Sequence, residues 1–389
     1  MELIATNVTE HGNCRRLTGV VRYNDASTEE YWFDVPSAYQ PSRSGNLWLA
    51  CLLPLAATIG EDLTIPLPVD RELLLGSESL LRLWKYWRAE MHVVKISVES
   101  ITSLPPKSDQ AASFFSAGVD SFFTVLRRPD VKNWITVQGF DMPISKKDEF
   151  EIHCQRLSRI ASDFGKEFIS AATNIRQTRW RKAHWEAIAF GPALAAMALV
   201  FEDYFYEVLI PSSFDYSSLD PWGSHPLSDP LFSTCQTKLI HEGVAYSRTE
   251  KIEYLSENNR ALSELHVCFR GGDSLGQDHK NCCRCEKCYR TMIALEILGK
   301  LGQCSLFDAS KFQIGKISKI YISHRLDEKF FLDLRATAVA RGRTDLAKEI
   351  DRSLKRSKYI DKLEYLSKIP FVWRFGQSLT KYLLRDSPK

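Results

Sequence analysis

Short runs rich in apolar, β-branched and aromatic residues recur between Ala111 and Ser213. The runs are ASFFS, NWITVQGF, EFISAATN and YFYEVLIPSS, and helix-like stretches such as VDSFFTVLRR and HWEAIAFGPALAAMALVFE lie between them. Strands that alternate with helices predict a parallel sheet flanked by helices, with a ligand beyond the carboxyl ends of the strands. We therefore expect residues 109–305 to form an α/β domain of Rossmann-like type.

The rest of the chain predicts two further segments. At 389 residues the chain is longer than one core usually grows, so several domains are expected. Residues 1–108 mix β-like runs with helical stretches around 46–59 and 74–90, which predicts an N-terminal α+β domain closed by the linker SLPPKSDQ. Residues 306–389 predict a helical extension.

The helical extension is the basic part of the chain. Residues 311–389 contain 19 Lys/Arg and 9 Asp/Glu, whereas the whole chain carries a net charge of only +3. Such a surplus is usually a solvated face or an interface with an acidic partner protein, and nucleic acid is the alternative partner. Of these partners, we favour a protein over nucleic acid.

Targeting and membrane segments are not predicted. The start, MELIATNVTEHGNCRR, lacks the basic head and apolar core of a signal peptide. The most apolar run, LWLACLLPLAATIG, is too short to span a bilayer and contains Pro54, so it predicts a buried helix. We expect a cytoplasmic protein without a membrane partner, in which ten cysteines do not form a disulfide framework.

Five of the ten cysteines lie between Cys268 and Cys288. The spacing C-x2-C-x2-C places Cys282, Cys285 and Cys288 on one tight turn, and Cys268 can return to complete a tetrahedron around Zn²⁺. A site with four sulfur ligands has no position left for water, so its role is structural. The alternatives are an iron–sulfur site or a chance group of core thiols, and Cys283 competes with Cys282 as a ligand.

The run FFSAGVDSFF (114–123) places small and hydroxyl residues between two phenylalanine pairs. A strand, this turn and a helix would present backbone N–H groups at a helix N-terminus, an arrangement that binds phosphate. Ser116 and Ser121 add hydroxyl donors, and Asp120 suits a position near Mg²⁺. The alternative is a strand-to-helix turn whose serines only cap the helix.

The hexapeptide SAGVDS resembles the SGGxDS loop of the PP-loop ATPases. Members of that superfamily cleave ATP between the α and β phosphates, adenylate a substrate oxygen and let a nitrogen or sulfur nucleophile displace AMP. The resemblance implies that Asp120 and Ser121 are catalytic and that ATP and Mg²⁺ are bound by Ser116, Ala117, Gly118, Val119, Asp120 and Ser121. Ala117 stands where the family has glycine, which would cost about 1 kcal/mol if the position needs a positive φ.

The cysteine segment resembles the 7-cyano-7-deazaguanine synthase family, which also belongs to the PP-loop class. The features that match in order are Cys268-Phe269, Gly271-Gly272, the three spaced cysteines and Arg290. The resemblance covers roughly 111–300. It implies an ATP-dependent ligase that adenylates a carboxylate or amide oxygen, on a small molecule or a protein, for attack by an amine, ammonia or another nucleophile.

Further candidates lie between the two motifs. Lys251, in YSRTEKIEYL, resembles a family lysine that neutralises phosphate charge, and a solvated helix lysine is the alternative. Asp141 and Asn174 follow predicted strands and are candidate nucleotide contacts. Candidate substrate contacts are Arg176, His225 and Asp229. For His225 and Asp229, loop-structuring hydrogen bonds are the alternative.

Two other functions remain open from the sequence. One is ATP-dependent sulfur transfer, with Cys235 carrying a persulfide. The other is a nucleotide-binding subunit without turnover that acts on a partner protein in a defence or biosynthetic system.

Overall fold

The computed structural model describes residues 1–268, 280–322 and 325–367. Part of the cysteine motif, Phe269, Gly271 and Gly272, lies outside the described residues, as does 368–389 of the basic extension. The contacts between residues divide the chain into two compact units. Unit 1 contains Met1–Ser116, Thr124–Ser212 and Leu219–Val244, and unit 2 contains Ala117–Phe123, Ser213–Ser218 and the chain from Ala245 onward.

Unit 1 contains a ten-stranded sheet in the order β10-β9-β6-β7-β8-β3-β2-β1-β4-β5. The first five strands are β1 (Glu2–His11), β2 (Cys14–Arg22), β3 (Thr28–Pro36), β4 (Leu63–Asp70) and β5 (Ile96–Thr102). The other five are β6 (Ala111–Phe114), β7 (Asn133–Gln138), β8 (Glu167–Thr173), β9 (Glu207–Pro211) and β10 (Lys238–Glu242). The sheet therefore takes five strands from each of the first two segments that the sequence distinguishes.

Most neighbouring strands in this sheet are parallel. All pairs from β10 through β9, β6 and β7 to β8 are parallel, as are β1–β4 and β4–β5. The pairs β8–β3, β3–β2 and β2–β1 are antiparallel. The sequence prediction of an α/β fold with a mostly parallel sheet flanked by helices is confirmed.

The parallel part of the sheet has the strand order of a Rossmann-like fold. The chain runs outward from β6 through β7 to β8, and β9 then returns to the other side of β6. The order therefore reverses between β6 and β9, and ligands of open α/β sheets bind beyond the carboxyl ends of strands at such a point. The chain segments that follow these two strands, 117–123 and 213–218, both belong to unit 2.

Helices pack on the sheet because their apolar residues are buried. Helix α1 (Asn46–Ile59) is buried over its first twelve residues, which confirms the buried helix predicted for the most apolar run. Trp48 of α1 packs on Gly19 of β2, where a Cβ atom would come within 2.3 Å of the indole ring. A side chain at position 19 would therefore push α1 away from the sheet.

The remaining long helices of unit 1 follow the sequence prediction. They are α2 (Arg71–Trp87), α4 (Lys147–Asp163) and α5 (Phe190–Val200), and the shared helix α3 (Val119–Arg127) begins in unit 2. Helix α5 is rich in alanine and packs against α1. A single π-helical turn, Trp185–Ala189, precedes α5.

Unit 2 is helical over its described residues after 245. Its helices are α6 (Arg248–Ser256), α7 (Asn259–Ser263), α8 (Glu286–Ile297), α9 (Ile314–Ile317), α10 (Arg325–Ala340) and α11 (Thr344–Ser367). Gly342, with a φ of 70°, joins α10 to α11, as the sequence predicts. The predicted C-terminal helical region is thus confirmed over the part that is described. In the described ranges of both units, every helix is too short or too polar to cross a membrane.

Candidate functional site

Four cysteine sulfurs of unit 2 converge on one point. The Sγ atoms of Cys268, Cys282, Cys285 and Cys288 all lie within 4.8 Å of one another. The Sγ atoms of Cys282 and Cys288 are 3.7 Å apart. Tetrahedral coordination with metal–sulfur bonds of about 2.3 Å separates the sulfurs by about 3.8 Å. The cluster predicted from the sequence can therefore hold one metal ion.

Local hydrogen bonds bring Cys268 to the other three cysteines. The side chain of Asn281 accepts a 2.8 Å hydrogen bond from Val267 N and donates a 2.9 Å bond to Leu265 O. These bonds hold the segment before Cys268 beside the turn that begins at Cys282. Cys288 then lies in the first turn of α8, so the cluster also anchors that helix.

Cys283 points away from the cluster. Its φ is 54°, and its Sγ atom donates to Asn281 O at 3.3 Å and accepts a hydrogen bond from Asp308 N at 3.3 Å. Burial raises the pKa of this thiol. Of the two cysteines between which the sequence could not decide, Cys282 is the one in the cluster.

The chemistry of the four thiols suits a cation. The pKa of Cys285 is raised to about 12, mainly because its thiol forms a hydrogen bond with Cys268. The pKa of Cys288 is also raised, mainly by its own hydrogen bond with Cys268. Thiols that crowd together in this way resist ionisation unless a metal ion supplies positive charge. The residues therefore fit a metal ion with four thiolate ligands.

The SAGVDS turn connects strand β6 to helix α3. Ala117 is buried and has a φ of 58°, the left-handed conformation that glycine adopts most easily. Its carbonyl oxygen accepts a 3.0 Å hydrogen bond from His266 N. Gly118 N donates a 3.1 Å hydrogen bond to Ser121 Oγ. Ser121 therefore makes the kind of capping bond expected if this is a strand-to-helix turn whose serines cap the helix.

Asp120, in the first turn of α3, is paired with two cations of α6. Its Oδ2 atom accepts a 2.8 Å hydrogen bond from Arg248 NH1, and its Oδ1 atom lies 3.7 Å from Lys251 Nζ. The Lys251 side chain is 1% exposed and that of Arg248 is 10% exposed. The structure therefore brings together Asp120 and Lys251, two residues that the sequence predicts as catalytic.

Lys251 lies in a buried and partly apolar environment. Burial lowers the pKa of its ammonium group, while the carboxylate of Asp120 acts in the opposite direction. Its Nζ atom also lies 5.8 Å from the centre of the Phe123 ring. A solvated helix lysine, the alternative suggested by the sequence, does not describe this buried side chain.

A second buried arginine lies on α8. Arg290 NH1 is 3.2 Å from both Glu286 Oε1 and Asp327 Oδ1, and its side chain is 5% exposed. Burial lowers the pKa of Arg290 and raises that of Glu286. The guanidinium of Arg290 lies 4.1 Å from the centre of the Phe330 ring. Because Cys288 precedes Arg290 by two residues, the same helix carries a cysteine of the cluster and this ion-pair group.

Phe330 connects Arg290 with the cations of α6. Its ring centre lies 5.8 Å from the guanidinium of Arg248. The ring of Phe214 stacks on that of Phe330, with a centroid distance of 5.4 Å and an interplanar angle of 17°. The aromatic pair thus forms an apolar wall beside two buried guanidinium groups.

An open cavity of about 580 Å³ lies in unit 2 next to the start of α6. Its volume is within the range of small-molecule sites. Its walls combine carboxylates, a lysine and apolar groups. Residues that line it include Asp215, Tyr216, Glu250, Lys329, Leu332 and Asp333.

Ser116 and Asp141 belong to unit 1 and are exposed, after strands β6 and β7. Asn174 follows β8, where its side chain accepts a 2.8 Å hydrogen bond from Trp32 N and donates a 2.9 Å bond to Glu30 O. Both polar groups of Asn174 therefore hold the end of β8 against β3. Contacts of Ser116, Asp141 and Asn174 with a nucleotide stay predictions.

Arg176, a candidate substrate contact, also lies in unit 1. It donates a hydrogen bond to Phe140 O, and its guanidinium stacks 4.4 Å from the centre of the Trp185 ring. These contacts orient the side chain without neutralising its charge.

His225 and Asp229 form a buried network in unit 1. Asp229 accepts hydrogen bonds from Ser224 Oγ at 2.6 Å, His241 Nδ1 at 2.8 Å and His225 N at 3.1 Å. The His225 ring packs against Trp87, and burial lowers the pKa of His225. Asp229 thereby attaches its loop to β10, which is the loop-structuring role that the sequence kept as an alternative.

Cys235, the candidate sulfur carrier, lies in unit 1 with its Sγ atom 3.1 Å from Ser103 Oγ. The bond to Ser103 lowers its pKa, but burial and the nearby carboxylates of Asp70 and Glu72 outweigh this effect, and the pKa is raised. A raised pKa disfavours the thiolate that sulfur transfer requires. This environment does not favour the sulfur-transfer alternative.

No role is predicted from the sequence for Arg248, Asp327 or Phe330. Arg248 carried a usable signal, because it lies three residues before Lys251 and therefore on the same face of a helix. Asp327 and Phe330 lie in the C-terminal segment, outside both motifs, and carried no such sequence signal.

Comparisons with protein-family models, curated proteins and solved structures find no match to this chain.

Proposed function

We propose that the chain is an ATP-dependent ligase of the PP-loop class that adenylates a carboxylate or amide oxygen. An amine, ammonia or another nucleophile then displaces AMP. The observation that carries the proposal is the SAGVDS turn, whose Asp120 meets the buried cations of α6. Ala117 supports it as well, because its φ of 58° is the conformation that a glycine of an SGGxDS loop would adopt readily.

The strand order supports the same proposal. The SAGVDS turn follows β6, one of the two strands between which the order reverses, and ligands of such sheets bind at that edge. The turn leads directly into α3, whose N-terminal amides and dipole favour phosphate.

The residues near the turn fit a nucleotide with Mg²⁺. Among the described residues, the buried Asp120 Oδ1 makes no hydrogen bond and has Lys251 Nζ as a cation 3.7 Å away. A carboxylate oxygen of this kind can serve as a ligand to a hard cation. Mg²⁺ supplies charge neutralisation on phosphate oxygens. Lys251 holds a positive charge where the α-phosphate gains negative charge, and the low exposure of its side chain strengthens that interaction.

The four-cysteine cluster supports a structural Zn²⁺ site. With Cys268, Cys282, Cys285 and Cys288 all bound, the ion would have no open position for a reacting water. It would hold the N-terminus of α8, and through that helix it would orient Arg290 and Glu286.

The cavity beside α6 is our candidate site for the molecule that is adenylated. Its size suits a small carboxylate or the end of a protein chain.

The proposal is tested by binding and by turnover. The wild-type chain is expected to bind α,β-methylene-ATP with Mg²⁺ and to release AMP and pyrophosphate from ATP with a suitable carboxylate. Lys251→Met should reduce turnover by about 100-fold or more, because a buried cation is lost at the phosphates. Arg341→Met, which removes an exposed arginine paired with Glu253, is the matched control.

Absence of both analogue binding and AMP release in the wild-type chain would make the proposal wrong. Equal turnover in Lys251→Met and wild type would remove the role of Lys251.

A further inference from the structure

Two buried cations of α6 share one carboxylate. Arg248 and Lys251 both pair with Asp120, and neither side chain is more than 10% exposed. Buried like charges repel each other and need a counter-anion to remain ionised. Asp120 is the carboxylate that contacts both cations in the structure.

Arg248 has unused hydrogen-bonding capacity. It reaches Asp120 through NH1, while its buried Nε has no hydrogen-bond partner among the described residues. A guanidinium binds carboxylate or phosphate best through two parallel N–H groups. Phe330 covers one side of the group at 5.8 Å. The arginine is thus pre-positioned but only partly used by Asp120.

We propose that Arg248 is a phosphate-binding residue and that Asp120 competes with phosphate for it. When a nucleotide binds with Mg²⁺, phosphate oxygens take over Arg248 and Lys251, and Asp120 turns to the metal ion. This exchange deepens the proposed function and rests on it. It assigns Arg248 to the site and gives Asp120 two successive cationic partners, first the side chains of α6 and then Mg²⁺.

The exchange keeps the charges of the site balanced. If Asp120 turned to Mg²⁺ without a replacement, Arg248 and Lys251 would lose the carboxylate that they share. If phosphate entered while Asp120 stayed, two anions would compete for the same cations. Mg²⁺ and polyphosphate should therefore bind cooperatively, each favouring the other.

The test measures binding of inorganic pyrophosphate without Mg²⁺ by calorimetry. Asp120→Asn keeps the shape of the side chain and removes its charge, so it should bind metal-free pyrophosphate about tenfold tighter than wild type, or more. Adding Arg248→Met to Asp120→Asn should reverse this gain. The matched controls Glu253→Gln and Arg341→Met alter an exposed ion pair of the same unit and should leave the affinity unchanged.

Equal pyrophosphate affinity in wild type and Asp120→Asn would overturn the exchange, as would a gain that persists after Arg248→Met. If Asp120→Asn fails to fold, wild type and Arg248→Met are compared with pyrophosphate in the presence of Mg²⁺. Arg248→Met should then bind about tenfold more weakly, and equal affinity overturns the assignment.

These outcomes are separable from a failure of the proposed function. Pyrophosphate binding that follows the expected pattern, in a chain that releases no AMP, would keep the anion site and remove the ligase activity. AMP release by wild type, with unchanged metal-free pyrophosphate affinity in Asp120→Asn, would keep the ligase and remove the exchange.

Discussion

Asp120 and Arg248 lie 128 residues apart in the chain and are joined by a 2.8 Å hydrogen bond. The bond connects the start of α3 with the start of α6, and Lys251 approaches the same carboxylate one helical turn further on. Unit 2 is thus assembled from distant segments around a buried group of charges, and its stability should depend on their balance.

Removal of the shared carboxylate should destabilise the chain. Asp120→Ala leaves Arg248 and Lys251 without their anion, and breaking a buried pair in this way costs about 3 kcal/mol. Urea unfolding measures the loss of unfolding free energy. The double variant Asp120→Ala with Lys251→Met should be more stable than Asp120→Ala alone, because one of the two buried cations that lost the shared carboxylate is gone. A double variant that is less stable than Asp120→Ala would contradict the pairing.

Metal content should follow Cys282 and not Cys283. Elemental analysis of the purified chain is expected to give one zinc ion, and Cys288→Ser or Cys282→Ser should lose it and lower the stability of unit 2. Cys283→Ser is the control and should retain the metal, since its sulfur bonds to Asn281 and Asp308 instead. A coloured protein that contains iron would support the iron–sulfur alternative and reject zinc.

Glycine should be tolerated at two alanines with left-handed backbone. Ala26 has a φ of 64° and is exposed, so Ala26→Gly relieves strain without loss of burial and should stabilise the chain by about 0.5–1 kcal/mol. Ala117→Gly relieves similar strain but removes a buried methyl group, so its gain should be smaller. Thermal unfolding of both variants and of the wild type measures these changes in stability. A large loss of stability in Ala117→Gly would contradict the left-handed conformation of residue 117.

The buried His225 should make stability fall in mild acid. Burial lowers the pKa of His225 below its usual value of about 6.5, so the unfolded chain takes up a proton before the folded chain does. Its contribution is therefore present above about pH 6.5 and is lost as the pH falls from there through the folded-state pKa. Urea unfolding at several pH values measures this slope.

The slope should become shallower in His225→Gln. His11→Gln, which changes an exposed histidine, is the control and should keep the wild-type slope. An unchanged slope in His225→Gln would show that the acid sensitivity arises elsewhere.

Much of the fold could be predicted because its signals are local. The alternation that begins at Ala111 is visible within single strands and helices, and α1 is apolar on every side, as a buried helix must be. The three closely spaced cysteines meet for the same reason, since they lie within about two turns of chain. Such patterns need no knowledge of distant contacts.

Two strands, β1 and β10, are not predicted from the sequence. β1 is mostly exposed along its length, so it lacks the alternation of buried and exposed residues that identifies a half-buried strand. β10 has only five residues. Both become strands because neighbours supply hydrogen bonds: β2 pairs with β1, and β9 pairs with β10.

The sequence by itself determined most of the helices and strands, the cysteine cluster and the turn at residues 116–121. Only the tertiary structure decided that β3 pairs with β8, that Cys282 rather than Cys283 joins the cluster, and that Arg248 meets Asp120. The physical reason is the range of the forces involved. Periodicity and spacing act within a few residues, whereas the partner of a buried charge or of an open strand edge is chosen by packing between segments that are remote in the chain.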